Sequence, residues 1–280
     1  MAARAGHVHH GYCLERRVGS GGFSEVWSAR HVATGRPVAL KLARPPISEH
    51  LRLRLRREVA VHAHVRHPRV CAIEEALPNE AGIAFALLEG GSLTAHVTRH
   101  GAMSDAGVLA MAHDLLGALE AVHAAGVVHR DVTPDNVVFA RELGEATLID
   151  FGLAKVGGDA TWASSLTTED AALGSYVHQA PEQLDDPRAV DGRADIYGLG
   201  SSLFYALTAR APFRAAALAV LITLKATCEA PSLGDATGRR WPDDVEAFMA
   251  RMLAREPAAR FASATDARRA VERLLAARRR

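Results

Sequence analysis

Cysteine is scarce: Cys13, Cys71 and Cys228 are the only three in 280 residues, far apart and without a C-x-x-C pair. This argues against a disulfide framework or a thiolate metal site and reads as free thiols in the cytosol. An excess of one charge is also missing. The 33 Lys and Arg face 32 Asp and Glu, which argues against a nucleic-acid binder driven by bulk charge. No apolar run approaches the roughly 20 residues that span a bilayer, and Met1 to Gly11 lacks the apolar core of a signal peptide. His7, His9 and His10 in that stretch read as a loose terminus rather than a metal chelator. No internal repeat or low-complexity linker divides the chain. With 49% hydrophobic residues, it has enough apolar side chains for one large domain or two lobes with a sizeable core.

Patterning divides the chain into a strand-rich part and a helical part. Tyr12 to Val18, Glu25 to Arg30, Arg36 to Ala43, Val70 to Leu77 and Ile83 to Leu88 are predicted strands, punctuated at Gly19 to Gly22 and at Pro78 to Gly82. One helix, Glu49 to Val65, interrupts them. Its arginines from Arg52 to Arg57 read as a solvated face, and Arg278 to Arg280 read as a short basic tail. Gly90-Gly91 breaks the strand pattern. Ser104 then caps a helix from about Asp105 to Ala125, in which Leu109, Ala112, Leu116, Leu119 and Val122 recur at helical spacing. Further helices are predicted near Asp195 to Thr208, Ala216 to Thr227, Asp243 to Leu253 and Thr265 to Arg278.

Chemistry concentrates in a few segments. His129-Arg130-Asp131-Val132-Thr133-Pro134-Asp135-Asn136 is followed by Asp150-Phe151-Gly152, with Asn136 five residues after Asp131 and Asp150 fourteen after Asn136. These are hard oxygen donors of the kind Mg²⁺ takes. Val18-Gly19-Ser20-Gly21-Gly22-Phe23-Ser24-Glu25-Val26 is a glycine-rich turn through which backbone can approach phosphates closely. A dinucleotide fold needs a helix after such a loop; here a strand follows, which suits a hairpin lid over ATP. Val38-Ala39-Leu40-Lys41 sets a lysine in an apolar strand, and Glu58 on the next helix is its candidate partner, since an unpaired buried charge is costly.

Together these segments resemble the eukaryotic-like (Hanks-type) protein kinases, the bacterial serine/threonine branch above all, over about Tyr12 to Leu275. The resemblance implies a two-lobed α+β fold in a single domain, residues 12–276. An antiparallel-sheet lobe with one helix occupies 12–88 and a larger, mainly helical lobe 89–276, between tails 1–11 and 277–280. It also implies phosphoryl transfer from ATP to Ser/Thr hydroxyls of proteins, dependent on Mg²⁺ or Mn²⁺. Asp131 then orients the hydroxyl and accepts its proton. Asn136 and Asp150 hold the metal. Lys41, paired with Glu58, aims at the α- and β-phosphates beneath the loop of Gly19, Ser20, Gly21, Gly22, Phe23 and Ser24. Val18, Val26 and Ala39 roof the adenine and Val138 floors it; Phe85 is the gatekeeper, and Ala86 and Leu88 supply the hinge backbone. Glu182, in Ala180-Pro181-Glu182, pairs with Arg260, and Asp195 braces the catalytic loop. Ile73, His62, Phe151 and His129 form an internal stack. Arg130 binds a phosphate carried by Thr161, Ser164, Ser165, Thr167 or Thr168 after autophosphorylation. By the same analogy the chain is cytoplasmic, or the cytoplasmic part of a longer membrane protein, and dimerises through its small lobe.

Several positions depart from the family pattern. Thr133 stands where lysine is usual, which leaves three readings: a slow kinase, one with altered substrate preference, or an ATP-binding pseudokinase that signals as a scaffold. A small-molecule kinase is disfavoured by the set Glu182, Asp195 and Arg260. Ser24 replaces a glycine of the phosphate loop, Ser175 a threonine near the substrate groove, and His178 the tyrosine before Ala180-Pro181-Glu182, which bears on peptide preference. His62 sits where relatives carry an apolar residue, and its protonation is expected to loosen the active arrangement.

Overall fold

The computed structural model describes residues 3–20, 24–141, 145–151, 155–156, 176–186 and 190–278. Gly21, Gly22, Phe23, Gly152, Thr161, Ser164, Ser165, Thr167, Thr168 and Ser175 lie outside the described residues.

The small lobe is a six-stranded antiparallel sheet in the order β1-β2-β3-β4-β6-β5, formed by β1 (Val8–His9), β2 (Tyr12–Ser20), β3 (Ser24–His31), β4 (Pro37–Ala43), β5 (Ile73–Ala76) and β6 (Gly82–Ala86). Alternation along β4 puts Val38, Leu40 and Leu42 into one core with Tyr12, Leu14 and Trp27. Ala39 and Lys41 take the other face. The helix α1 (Glu49–His64) covers that second face, with Leu51 and Leu55 packed among Ile83 and Phe85. Ser48 caps it by accepting the Leu51 N–H, an interaction worth about 1 kcal/mol. Leu51, Leu55, Glu58 and His62 follow one another at helical spacing, so a carboxylate and an imidazole occupy the helix's inner face.

Two expectations need correction here. The N-terminal histidines are not a loose end, because Val8 and His9 pair with Cys13 and Tyr12 at the sheet edge. The strands expected from Val70 and up to Leu88 are shorter. Val70 instead bridges Leu148 of the large lobe, and residues 87 and 88 leave the sheet. The first end is held against the large lobe by that bridge, and the second is where the chain crosses into it.

The large lobe is helical. Its described helices are α2 (Leu93–His100), α3 (Asp105–Ala124), α4 (Pro181–Asp185), α5 (Gly192–Thr208), α6 (Leu218–Thr227), α7 (Leu233–Thr237), α8 (Asp243–Met252) and α9 (Ala264–Ala277). The helices α3 and α5 are the most deeply buried, with Leu115, Leu116, Leu119, Ile196 and Leu199 fully enclosed. Two short antiparallel pairs frame the cleft: β7 (Val127–Val128) with the distant β10 (Lys155–Val156), and the hairpin of β8 (Val137–Phe139) with β9 (Ala146–Leu148). α5 runs directly beneath the loop after β7. A Cβ at Gly198 would lie 2.8 Å from the Val132 carbonyl oxygen, so glycine there permits the close approach.

Candidate active site

Lys41, in the middle of β4, meets two carboxylates. Its Nζ donates to Glu58 Oε2 and to Asp150 Oδ1, each at 2.9 Å, and to Glu58 Oε1 at 3.1 Å. Glu58 is 1% exposed, a burial that a carboxylate tolerates only when paired. Burial acts to lower the Lys41 pKa, but Asp150 and Glu58 outweigh it and hold the lysine above its ordinary value. The ammonium is therefore charged, and it bridges the small lobe to the start of Asp150-Phe151.

The catalytic-loop candidates converge on the same cleft. Asn136 Nδ2 donates to Asp131 Oδ2 at 2.8 Å and to the Asp131 carbonyl at 2.9 Å. With both amide hydrogens engaged, Oδ1 is the atom Asn136 could offer a metal. Burial, then the Asp150 charge, push the Asp131 carboxyl up to about 7, against the opposing Asn136 hydrogen bond and Arg54 charge. Thr133 is buried nearby and brings no cation.

Below the loop, Asp195 accepts the backbone N–H of His129 at 2.9 Å and that of Arg130 at 2.7 Å, and its Oδ2 lies 2.8 Å from His123 Nε2. Burial acts to raise the Asp195 pKa, but the His123 contact and the backbone donor outweigh it and hold the carboxyl below its usual range. Arg130 and Asp150 both take left-handed backbone, with φ of 68° and 60°. For a non-glycine residue this costs about 1 kcal/mol or more, and the surrounding contacts must over-determine it. At Arg130 they do: Asp195 holds its N–H and Gln183 Nε2 donates to its carbonyl at 2.9 Å.

Phe151, fully buried, stacks between two imidazoles, with ring centroids 4.5 Å from His129 and 5.0 Å from His62. His62 also meets Phe85 edge-on at 5.7 Å. Ile73 pairs with Phe85 across β5 and β6 and packs in the same cluster, so it meets the column through Phe85. His62 Nε2 is buried without a hydrogen-bond partner among the described residues. Burial, with the neighbouring His129 and Lys41, pushes its pKa down to about 4.

The adenine-side candidates lie partly in one small-lobe cluster. Ala39, Phe85, Ala86 and Leu88 pack in one cluster with Ile149; Val26 and Val138 are half-buried, and Val18 is exposed. Farther down, Arg260 is 2% exposed and uses all five N–H donors: on both Glu182 oxygens, at 2.6 and 2.8 Å, and on the carbonyls of Ala254, Arg193 and Arg255. Gln183, His123 and Lys225 are structurally engaged residues that sequence reasoning missed. Each is a common residue type on a helix, and only its three-dimensional neighbours reveal it.

A two-lobed fold with a lysine, two paired acidic positions and an Asp-Asn loop meeting between the lobes defines a phosphotransferase cleft. The protein kinase domain family model matches residues 12–272, and the chain belongs to that family, in its Hanks-type serine/threonine branch. It is similar to serine/threonine-protein kinase PknD of Mycobacterium tuberculosis, 33% identical over 259 residues, covering 91% of this chain and 38% of the relative. It is 33% identical over 272 residues to PknJ of Mycobacterium bovis (94% and 45%) and 33% over 270 residues to PknH of Mycobacterium tuberculosis (94% and 42%). The chain thus spans about two-fifths of the length of these relatives. Among the described residues, no helix is long and apolar enough to cross a membrane.

Proposed function

We propose that this domain transfers the γ-phosphoryl group of ATP to Ser/Thr hydroxyls of proteins. The observation that carries this reading is Lys41 Nζ held between Glu58 and Asp150, in the same cleft as the Asn136-oriented Asp131. Asp131 accepts the hydroxyl hydrogen bond and its proton. Lys41, kept charged and aimed by Glu58, is positioned to meet nucleotide phosphates.

The donor set fits a hard divalent ion. Asn136 Oδ1 and the Asp150 carboxylate are oxygen ligands, few in number, as Mg²⁺ uses alongside substrate phosphates. When bound, magnesium neutralises charge on those phosphates. Asn136 and Asp150 would hold it, and Mn²⁺ suits the same oxygens. The column His62–Phe151–His129 supports Asp150 from behind by packing. Autophosphorylation of the segment that carries Thr161 to Thr168, read by Arg130, belongs to this proposal, as does dimerisation through the small-lobe sheet.

Thr133 favours a second reading, a nucleotide-binding scaffold with weak or no catalysis. Radiolabelled ATP with magnesium and a generic protein substrate separates the two. Label on protein that disappears in Asp131→Asn supports the kinase. Nucleotide binding without transfer in wild type supports the scaffold.

A further inference from the structure

Lys225 is a lysine in the wrong kind of place. It lies on the inner face of α6, 1% exposed, among Tyr197 and Phe213, whose ring centroids are 5.2 and 5.9 Å from its Nζ. Among the described residues no carboxylate forms an ion pair with it. The nearby Glu182 carboxylate is taken at both oxygens by Arg260. The charges that face Lys225 are Glu182, which favours its ammonium, and Arg260, which opposes it; His178 feels the lysine's charge in return. Burial dominates and drives the Lys225 pKa down to about 7. A side chain so placed costs stability, so its contribution must lie in what it holds.

Its Nζ donates to the Gln179 carbonyl at 2.5 Å. The Gln179 side-chain oxygen, by contrast, is buried without a partner among the described residues, so the lysine's contact is with the main chain. The N–H of the same peptide unit, that of Ala180, donates to Gln183 Oε1 at 3.0 Å. Lys225 and Gln183 therefore grip one peptide plane at its two poles. An Nζ–H donor on the carbonyl, whether ammonium or amine, polarises the amide and strengthens the hydrogen bond at the other end. Gln183 then passes the constraint on, donating its Nε2 hydrogen to the carbonyl of Arg130, the left-handed residue next to Asp131.

We propose that Lys225 is a positioning residue for phosphoryl transfer: from α6 it fixes the Gln179–Ala180 peptide, and through Gln183 that peptide fixes the backbone beside Asp131. This rests on the kinase reading above for its functional part, while the grip itself can be measured without catalysis.

The test compares wild type with Lys225→Met, Gln183→Ala and the double variant, all in the full chain. Amide hydrogen exchange at Ala180 is expected to speed up in Lys225→Met, because the lysine no longer orients the peptide. Transfer to a generic protein substrate is expected to fall about fivefold in kcat, with KM for ATP within about twofold of wild type. Thermal stability is expected to change little, since methionine removes a buried charge but also leaves the Gln179 carbonyl without that donor. The double variant is expected to be no slower than Gln183→Ala, because both act through one peptide. Unchanged Ala180 exchange, strictly additive kcat losses, or a marked fall in melting temperature without an effect on kcat would each overturn the proposal. Should the methionine variant not fold, Lys225→Gln, neutral and shorter, carries the same exchange and kcat comparison with the same expected directions. If wild type transfers no phosphate, the kinase reading fails, while the exchange experiment still decides whether Lys225 holds the peptide.

Discussion

Gln183 Nε2 donates to the Arg130 carbonyl at 2.9 Å, joining α4 to the residue before Asp131 across 53 positions of sequence. The same side chain receives the Ala180 N–H. Gln183→Ala leaves a buried donor and a buried acceptor unmatched, at a cost of about 1–3 kcal/mol each way. A lower melting temperature together with reduced turnover is expected. Gln183→Glu, which can accept but not donate, is expected to keep the Ala180 contact and lose the Arg130 one.

Arg260→Met strands Glu182 and three backbone carbonyls at once. Loss of one partner of a buried pair costs about 3–5 kcal/mol, measurable by denaturant unfolding. Arg260→Lys restores the charge but not the planar fork, so it is expected to recover only part of that loss.

Asp131 carries a pH signature. Its carboxyl is pushed from 3.8 up to about 7 by burial and by Asp150, so the proton-accepting form grows in as pH rises through about 7 and the transfer rate should rise with it. Stability runs the other way. The folded state binds this proton more tightly than the unfolded chain, so ionisation removes stability as pH climbs from 3.8 to about 7. Asp131→Asn is expected to be inactive yet more stable than wild type above that window, and no different below it.

His62 has the opposite sign. Its pKa is depressed from 6.5 to about 4, so the unfolded chain binds the proton first and stability falls as pH drops through that interval. His62→Leu removes one proton's share of the acid sensitivity and a buried Nε2 that has no partner among the described residues. Its melting temperature should exceed wild type most clearly near pH 5, a value inside that interval, and its activity should persist further into acid. An activity profile superimposable on wild type would rule out protonation of His62 as the loosening step.

Thr133→Lys supplies the missing cation beside Asp131. Turnover equal to or above wild type is expected, since a positive charge there stabilises the transferred group. A collapse in turnover would assign Thr133 a role of its own.

The legible parts of this chain were those encoded locally. The helix over residues 105–124 and its Ser104 cap, the strand carrying Lys41, and the spacing of Asp131, Asn136 and Asp150 each follow from neighbours within a few residues. The two- and three-residue strands at Val127, Val137, Ala146 and Lys155 were not legible, because so short a run has no period; distant pairing alone defines them. The Val8–His9 strand escaped for a similar reason, since its partner is the hairpin it makes with Tyr12 and Cys13. Gln183 and Lys225 were invisible because glutamine and lysine on helices ordinarily face water, and only the packed lobe turns these two inward. His62 was visible as an anomaly, but the sequence could not show that its Nε2 is buried with no partner among the described residues.

The imidazole of His129 has no capacity left for chemistry. Its Nδ1 receives the Asp131 N–H and its Nε2 faces the Ile149 carbonyl at 3.2 Å, which fixes the hydrogen on Nε2. Despite its place in the sequence, this ring cannot shuttle protons; it is a spacer that keeps two loops a set distance apart. In the proposed phosphoryl transfer the hydrogen of a substrate alcohol would pass to Asp131 rather than to this ring, and a mutation that frees His129 would add a competing base beside it.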